Sequence, residues 1–251
     1  MLPKVAIICA NYNYGDYIIP AIESIVNQTY EGELRLYVVD DGSSDDSWDK
    51  ICGYINRYSH PTEGQDKIYA KRIENSGASV ARNTAIEMCW DWADIIGVLD
   101  ADDEYKPTKV EKFVNKLVEH DEIGVVYGDY DIHKSYGAAP FIKHEFKPQY
   151  SRDDLLNRCI VHSNSLIKKK YLEAVRLPNG EFYDSRLHGP ASKGFIGCTE
   201  DYDLWIRLSQ HCIMCHVPES LSIVNETGQN QSMKMTTEIF NQNAQILRSR
   251  S

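Results

Sequence analysis

The sequence has no apolar run longer than five or six residues, far short of the roughly 20 needed to span a bilayer. Peripheral contact is therefore the only kind with a membrane left open. It also has no charged n-region followed by an apolar h-region, so no secretory leader is expected. Positive charge is scarce: 27 Lys and Arg stand against 37 Asp and Glu, for a net charge of −10 and a pI near 5.3. A nucleic-acid surface needs clustered Lys and Arg, so no nucleic-acid partner is expected. The one basic run, Lys168-Lys169-Lys170, reads as a solvated helix start, with contact to anionic lipid or phosphate as the lesser reading. No Walker A pattern and no G-x-S-x-G elbow is present, which removes P-loop phosphate binding and Ser-His-Asp hydrolysis. Seven cysteines, an odd number, read as reduced thiols of a cytoplasmic protein without a disulfide framework. Cys212 and Cys215 form a C-x-x-C flanked by His211 and His216. No second pair lies at finger spacing, so packing is expected rather than zinc.

What is present is alternation. Val5 to Cys9, Leu34 to Val39, Lys67 to Ile73, Ile95 to Leu99 and Val125 to Tyr127 read as strands. Between them lie helical spacings: Ile18, Ala21, Ile22 and Ile25; Trp48, Ile51 and Ile55 behind Ser43 and Ser44 as caps; Ala81, Thr84, Ala85 and Met88; and Val110, Phe113, Val114 and Leu117 after Pro107. This predicts an α/β fold, a mostly parallel central sheet flanked by helices, in a single domain. A nucleotide-binding half covers 1–132, a smaller and less regular half 133–228, and a polar tail 229–251. In the second half, a helix is expected near Arg152 to Cys159, a short strand around Ser165 to Ile167, and a helix through Leu204, Trp205 and Leu208. Leu187 to Cys198, rich in glycine and without apolar periodicity, reads as a movable lid.

Four polar signatures follow one another: Asp40-Asp41-Gly42-Ser43, Asn75 to Asn83, Asp100-Ala101-Asp102-Asp103, and Glu200-Asp201. Two of them end buried strands, where open α/β sheets bind ligands. Of Asp40 and Asp41, one carboxylate is expected to accept from a base N–H or a ribose hydroxyl, although Asp-Gly-Ser is also an ordinary turn. Three carboxylates within four residues at 100–103 repel one another unless a cation or helix N-terminus compensates. Asp103 is expected to cap the helix at Pro107, leaving Asp100 and Asp102 on one side as hard ligands for Mg²⁺ or Mn²⁺ completed by phosphate oxygens.

The ordered set resembles the inverting family 2 glycosyltransferases of GT-A fold. The likeness rests on Cys9 to Asn13, Ala21 to Tyr30, Val38 to Ser43, Asn75 to Asn83, Leu99 to Pro107 as a DxD segment, and Glu200 to Leu208 as an ED helix. It covers residues 4 to 130 closely and 195 to 225 in part. It implies that Ala10 and Tyr12 line the nucleobase pocket, Asp41 recognises the base, Arg82 helps hold the donor, and Asp100 meets the ribose and metal region. It further implies that Asp102 ligates Mn²⁺ or Mg²⁺ and that Asp201 is the catalytic base. The implied substrates are a nucleotide diphosphate sugar, with UDP expected, and a hydroxyl acceptor in glycan or polysaccharide synthesis.

The chain departs from the resemblance late. Where many members carry Tyr-Arg-x-His, it reads Val224-Asn225-Glu226-Thr227, and His188 is the one substitute in view, against its reading as a solvated loop histidine. Two rivals remain. A catalytically inactive sugar-nucleotide-binding protein would keep the donor site without turnover; a sugar nucleotidyltransferase would need a basic Gly-rich phosphate loop, which the stretch from Ala10 to Gly15 lacks.

Overall fold

The computed structural model describes residues 1–58, 67–134, 141–188 and 199–228, together with 243, 246, 247, 249 and 250. The first part alternates as the apolar spacing demands: β1 (Val5–Asn11), α1 (Ile18–Val26), β2 (Leu34–Asp40), α2 (Ser47–Tyr58), β3 (Ile68–Arg72), α3 (Ala78–Cys89) and β4 (Ile95–Asp100). Then come β5 (Glu104–Tyr105), α4 (Lys109–Glu119), β6 (Ile123–Lys134), β7 (Phe141–Glu145), α5 (Arg152–Asn157), β8 (Leu166–Lys168), α6 (Lys169–Ala174), α7 (Glu200–Leu208) and β9 (Ile213–Glu226).

The strands form one sheet in the order β3-β2-β1-β4-β8-β6-β9-β5, with β7 extending β6. Strands β3, β2, β1 and β4 run parallel, as do β6 and β9, whereas β8 is antiparallel to both its neighbours. The α/β fold read from the sequence is therefore present with a mixed sheet. The difference from the expected series is β8: a strand from the second half sits between β4 and β6. Apolar periodicity finds a strand but carries no information about its neighbour.

Both faces of the sheet are covered, which is why its inner strands are apolar throughout rather than alternating. Ala6, Ile8, Val39 and Val98 pack on one face with Ala81 and Ala85 of α3 and Trp205 of α7. On the other, Ile7, Val38 and Leu99 meet Ile18 and Ile22 of α1 and Phe113 and Leu117 of α4. Cys212 packs against the first cluster and Cys215 against the second. Their position on opposite faces is the physical reason the C-x-x-C does not converge on a metal, and the six described cysteines are all free.

The Lys168-Lys170 run does structural work at the edge away from the strand C-termini. Lys168 Nζ donates to the carbonyls of His120 and Asp121 beyond α4 at 3.0 and 3.1 Å, and Lys169 Nζ to that of Trp90 beyond α3 at 2.8 Å. Cations at orphaned helix carbonyls are stabilising. A groove of 460 Å³ beside these lysines also carries Asp94 and Asp121, and Asp121 pairs with Lys168 and Lys170, which offsets part of their charge. Among the described residues no helix is long and apolar enough to cross a membrane.

Leu166 tests the joint. It is fully buried between Gly97 of β4 and Val126 of β6. Leu166→Ala should lower unfolding stability by about 2 to 5 kcal/mol, read by urea denaturation; a loss under about 1 kcal/mol would mean that β8 is not a packed member of the sheet.

Candidate functional site

Strand register places the polar signatures at one edge. Asn11 lies opposite Asp40, and Ala10 is flanked by Val39 and Asp100, so the C-terminal ends of β2, β1 and β4 stand side by side. This is where parallel sheets open to ligands.

The two adjacent aspartates divide their work. Asp40 is fully buried; it accepts from Asn11 Nδ2 at 2.8 Å and from the Ser43 hydroxyl, and pairs with Arg72 Nε at 3.2 Å. Ser43 is thus committed to the turn and does not cap α2, which starts at Ser47 with Asp45 accepting from the Ser47 N–H. Asp41 accepts from the backbone N–H of Ser76 at 2.7 Å and of Gly77 at 2.8 Å, tying β2 to the start of α3. Burial pushes the Asp41 carboxyl up while those two N–H groups pull it down. Two glycines make the turn possible: Gly42 has φ +71° and Gly77 φ +94°, a region side chains rarely adopt.

The centre of the site is Arg82, projecting from α3 and nearly fully buried. Its Nη1 donates to Glu200 Oε1 at 2.5 Å and lies 3.5 Å from Asp201 Oδ1, and its Nη2 donates to Asp100 Oδ1 at 2.8 Å. One guanidinium therefore joins α3, β4 and α7. The Tyr183 ring lies under it at 5.4 Å. Asn83, the next residue on α3, fixes that ring's backbone: its Oδ1 accepts from the N–H groups of Phe182 and Tyr183, and its Nδ2 donates to Tyr183 O.

Glu200 and Asp201, adjacent in α7, differ in environment. Burial pushes Glu200 up, but His188 and Arg82 outweigh it and hold the carboxyl down to about 2. Asp201 is pushed up to about 7, by burial first; Arg82 opposes and Glu200 adds to the rise. Its Oδ1 has no hydrogen-bond partner among the described residues, and the same holds for Arg82 Nε, Glu200 Oε2 and the Tyr183 hydroxyl. Buried polar atoms are rarely left unpaired, and four in one place mark a site shaped for a polar ligand.

Asp100 also accepts from the Ser163 hydroxyl at 2.6 Å. Burial works against its ionisation, but Arg82 and Ser163 keep its carboxyl low. Asp102 carries a Tyr14 hydroxyl hydrogen bond, and burial followed by the Asp100 charge pushes it up to about 7. Asp103 accepts from Asn164 Nδ2 at 2.7 Å and from the Asn225 N–H at 3.2 Å. It does not cap the following helix, whose N-cap is Thr108. Among the described residues no group of three or more His, Cys, Asp or Glu forms a protein-only metal cage. Asp102 still fits a divalent cation: it is a carboxylate crowded by Asp100, and Mg²⁺ or Mn²⁺ needs only one or two such ligands beside phosphate oxygens.

Of the expected site residues, the structure brings Arg82, Asp100 and Asp201 into contact, sets Asp102 within electrostatic reach of Asp100, and puts Ala10 beside Asp100. Asp41 is held by the Ser76 and Gly77 backbone and lies within electrostatic reach of His188, and Tyr12 is 43 % exposed beyond β1. His188 is not solvated: it is buried, with Nδ1 donating to Glu200 Oε1 at 2.7 Å. The rest of the lid reading, 189–198, lies outside the described residues. Asn225, in the segment where the resemblance lapses, donates through Nδ2 to Asp102 O at 2.7 Å. Lys109 was readable in principle, since it falls four residues before Phe113 on the inward stripe of α4. It is buried, donating to Asn164 O at 2.6 Å and to Ser222 Oγ, with its ammonium 3.7 Å from the Tyr105 ring centroid.

The Glycosyl transferase family 2 model matches residues 6–176. The putative teichuronic acid biosynthesis glycosyltransferase TuaG of Bacillus subtilis is 28 % identical over 179 residues, 70 % of this chain and 67 % of its own length. Several other curated relatives are about three times as long as the part matched, 31–36 % of their length being covered. Two solved structures share the fold: S. aureus TarS in complex with UDP has a TM-score of 0.68 at 15 % identity, covering 98 % of this chain and 65 % of that one. The mannosyltransferase PcManGT of Pyrobaculum calidifontis in complex with GDP-Man and Mn²⁺ has a TM-score of 0.65 at 16 % identity, covering 93 % and 60 %.

The Glu200 pair has a measurable signature. Its carboxyl is depressed in the folded state, so its contribution is full above the ordinary value of 4.5 and is lost as pH falls toward about 2. Glu200→Gln leaves Arg82 and His188 without their buried counter-charge and should cost about 3 to 5 kcal/mol at neutral pH, shrinking on acidification. His188, raised above 6.5 in spite of burial because Glu200 faces it, should titrate lower in the variant by NMR; an unchanged midpoint would dissolve the pair.

Proposed function

This chain belongs to glycosyl transferase family 2, and from that membership we propose that it is an inverting glycosyltransferase. Its donor would be a nucleotide diphosphate sugar, with UDP as the nucleotide, and its acceptor a hydroxyl in glycan or polysaccharide synthesis. The observation that carries the reading is the Arg82 cluster, in which a carboxylate raised to about 7, Asp201, lies beside a buried cation at the strand ends. UDP in TarS and the biosynthetic role named for TuaG support the donor and the pathway class.

Ala10, Tyr12 and Asp41 would receive the nucleobase, Asp100 the ribose side, and Arg82 the donor next to the diphosphate. Asp102 would hold Mg²⁺ or Mn²⁺, whose charge stabilises a leaving diphosphate when bound. Asp201 would take the proton of the acceptor hydroxyl as its oxygen attacks the anomeric carbon from the face opposite the leaving group; the bond to the diphosphate breaks and the configuration inverts. A base working near neutral pH is best placed with its own value there. Glu200 is held near 2 with Oε1 committed to two cations, so its role is to fix Arg82.

Two measurements test this. Calorimetry of UDP binding should need Mn²⁺, and Asp102→Asn should lose that dependence; equal affinity with and without metal sinks the assignment. Asp201→Asn should slow transfer by about 10²-fold to 10⁴-fold with donor affinity within a few-fold. In the wild type kcat should climb with pH up to about 7, since Asp201 must be ionised. A flat profile, or full transfer by the variant, removes Asp201 as base. UDP binding with no turnover of any UDP-sugar would leave a sugar-nucleotide-binding protein instead.

A further inference from the structure

Beyond Asp100, on the side away from β1, a second wall of the site is built from the approach to β8, from β6 and from the segment after β7. Ser163 contacts Asp100 directly, and His162 precedes it. The His162 ring packs on Tyr130 of β6 with centroids 4.4 Å apart. Over the same Tyr130 ring, at 5.9 Å from its centroid, lies Lys147 Nζ. The path from Asp100 through Ser163, His162 and Tyr130 to Lys147 is continuous, and it lies on the sheet side opposite the strand ends that would hold the nucleobase.

Lys147 is half-buried, and its backbone N–H is fixed by Asp129 Oδ1 at 2.8 Å. Its ammonium, however, has no hydrogen bond or ion pair among the described residues, unlike Lys106, Lys109, Lys168 and Lys169, each with its own partner. Arg158, exposed at the end of α5, likewise has none for its side chain, and its charge bears on Lys147. Burial pushes the Lys147 ammonium down and Arg158 adds to it, while Cys159, Glu145 and Asp129 oppose. A half-buried ammonium with no ionic partner among the described residues, with a second unpaired cation within electrostatic reach, is open to a bound anion.

We propose that Lys147, with Arg158 beside it, receives an anionic group of the acceptor, a carboxylate or a phosphate, against the Tyr130 and His162 rings. This rests on the glycosyltransferase reading for the word acceptor, and names its class: an acidic rather than a neutral glycan or glycoside. Lys147 supplies the selection for charge.

The test compares three small probes by saturation-transfer NMR: p-nitrophenyl glucuronide, p-nitrophenyl glucoside phosphate and neutral p-nitrophenyl glucoside, with and without UDP and Mn²⁺. Either acidic probe should bind at least about tenfold tighter than the neutral one, the order of one charge-assisted hydrogen bond. Which acidic probe gains more distinguishes carboxylate from phosphate. Lys147→Met should abolish the preference, Arg158→Gln weaken it, and Lys147→Arg, which keeps the charge, retain it and show that the site tolerates substitution. No preference in the wild type, or a preference that survives Lys147→Met, overturns the proposal. So does a loss of UDP affinity in Lys147→Met, which would put the lysine on the donor. Failure of the wild type to bind UDP would sink the donor reading instead, while the probe preference measured without UDP still decides this one.

Discussion

Everything at this site depends on one buried guanidinium. Arg82 makes contact with Asp100, Glu200 and Asp201, and without it three carboxylates from two elements would face one another in a largely buried site. Breaking such a buried set by removing one partner is costly because the remaining charges are left uncompensated. The local balance is close: Arg82 and His188 oppose Asp100 and Glu200, and Asp201, the carboxylate left over, is the one driven toward its neutral form. The unequal treatment of two neighbouring acids thus follows from burial, which raises both, and from His188 and Arg82, which outweigh it only at Glu200.

The same logic runs at the 100–103 turn. Three acids need three different answers: Asp100 takes Arg82, Asp103 takes the amide of Asn164 and the backbone of Asn225, and Asp102 takes the Tyr14 hydroxyl and a backbone N–H against the charge of Asp100. Burial still raises both Asp102 and Asp103. Beneath the turn, Lys109 is buried without a carboxylate in direct contact, its ammonium held by a carbonyl, a hydroxyl and aromatic rings. Burial pushes this ammonium well down, and the charges of Asp103 and Asp100 oppose the fall.

Much of this was legible because it is local. The apolar runs ending in Asp40 and Asp100 are strands for reasons contained within them, and their parallel pairing brings the acids to one edge. The split between Asp40 and Asp41 was not legible, because it depends on Asn11 from one side and on Ser76 and Gly77 from another. His188 stood out in the sequence only as a substitute for the missing late histidine or a solvated loop residue; its partner lies in α7, and only the folded chain brings the two within 2.7 Å. The caps expected at Ser43 and Asp103 failed because each side chain is engaged elsewhere, Ser43 with Asp40 and Asn11 and Asp103 with Asn164 and Asn225, and propensity yields to such contacts.

Strand β8 has a consequence for how the chain is made. During synthesis β1, β2 and β4 emerge first and can assemble in that order, but the pairing edge of β4 stays bare until residues 166–168 leave the ribosome. β6 waits beside it for the same three residues. An unpaired, apolar edge such as β4 invites pairing with another chain. The interval between residues 100 and 168 is therefore when the edge of β4 is most open to mispairing, and the brief strand that ends that interval also joins β4 to β6.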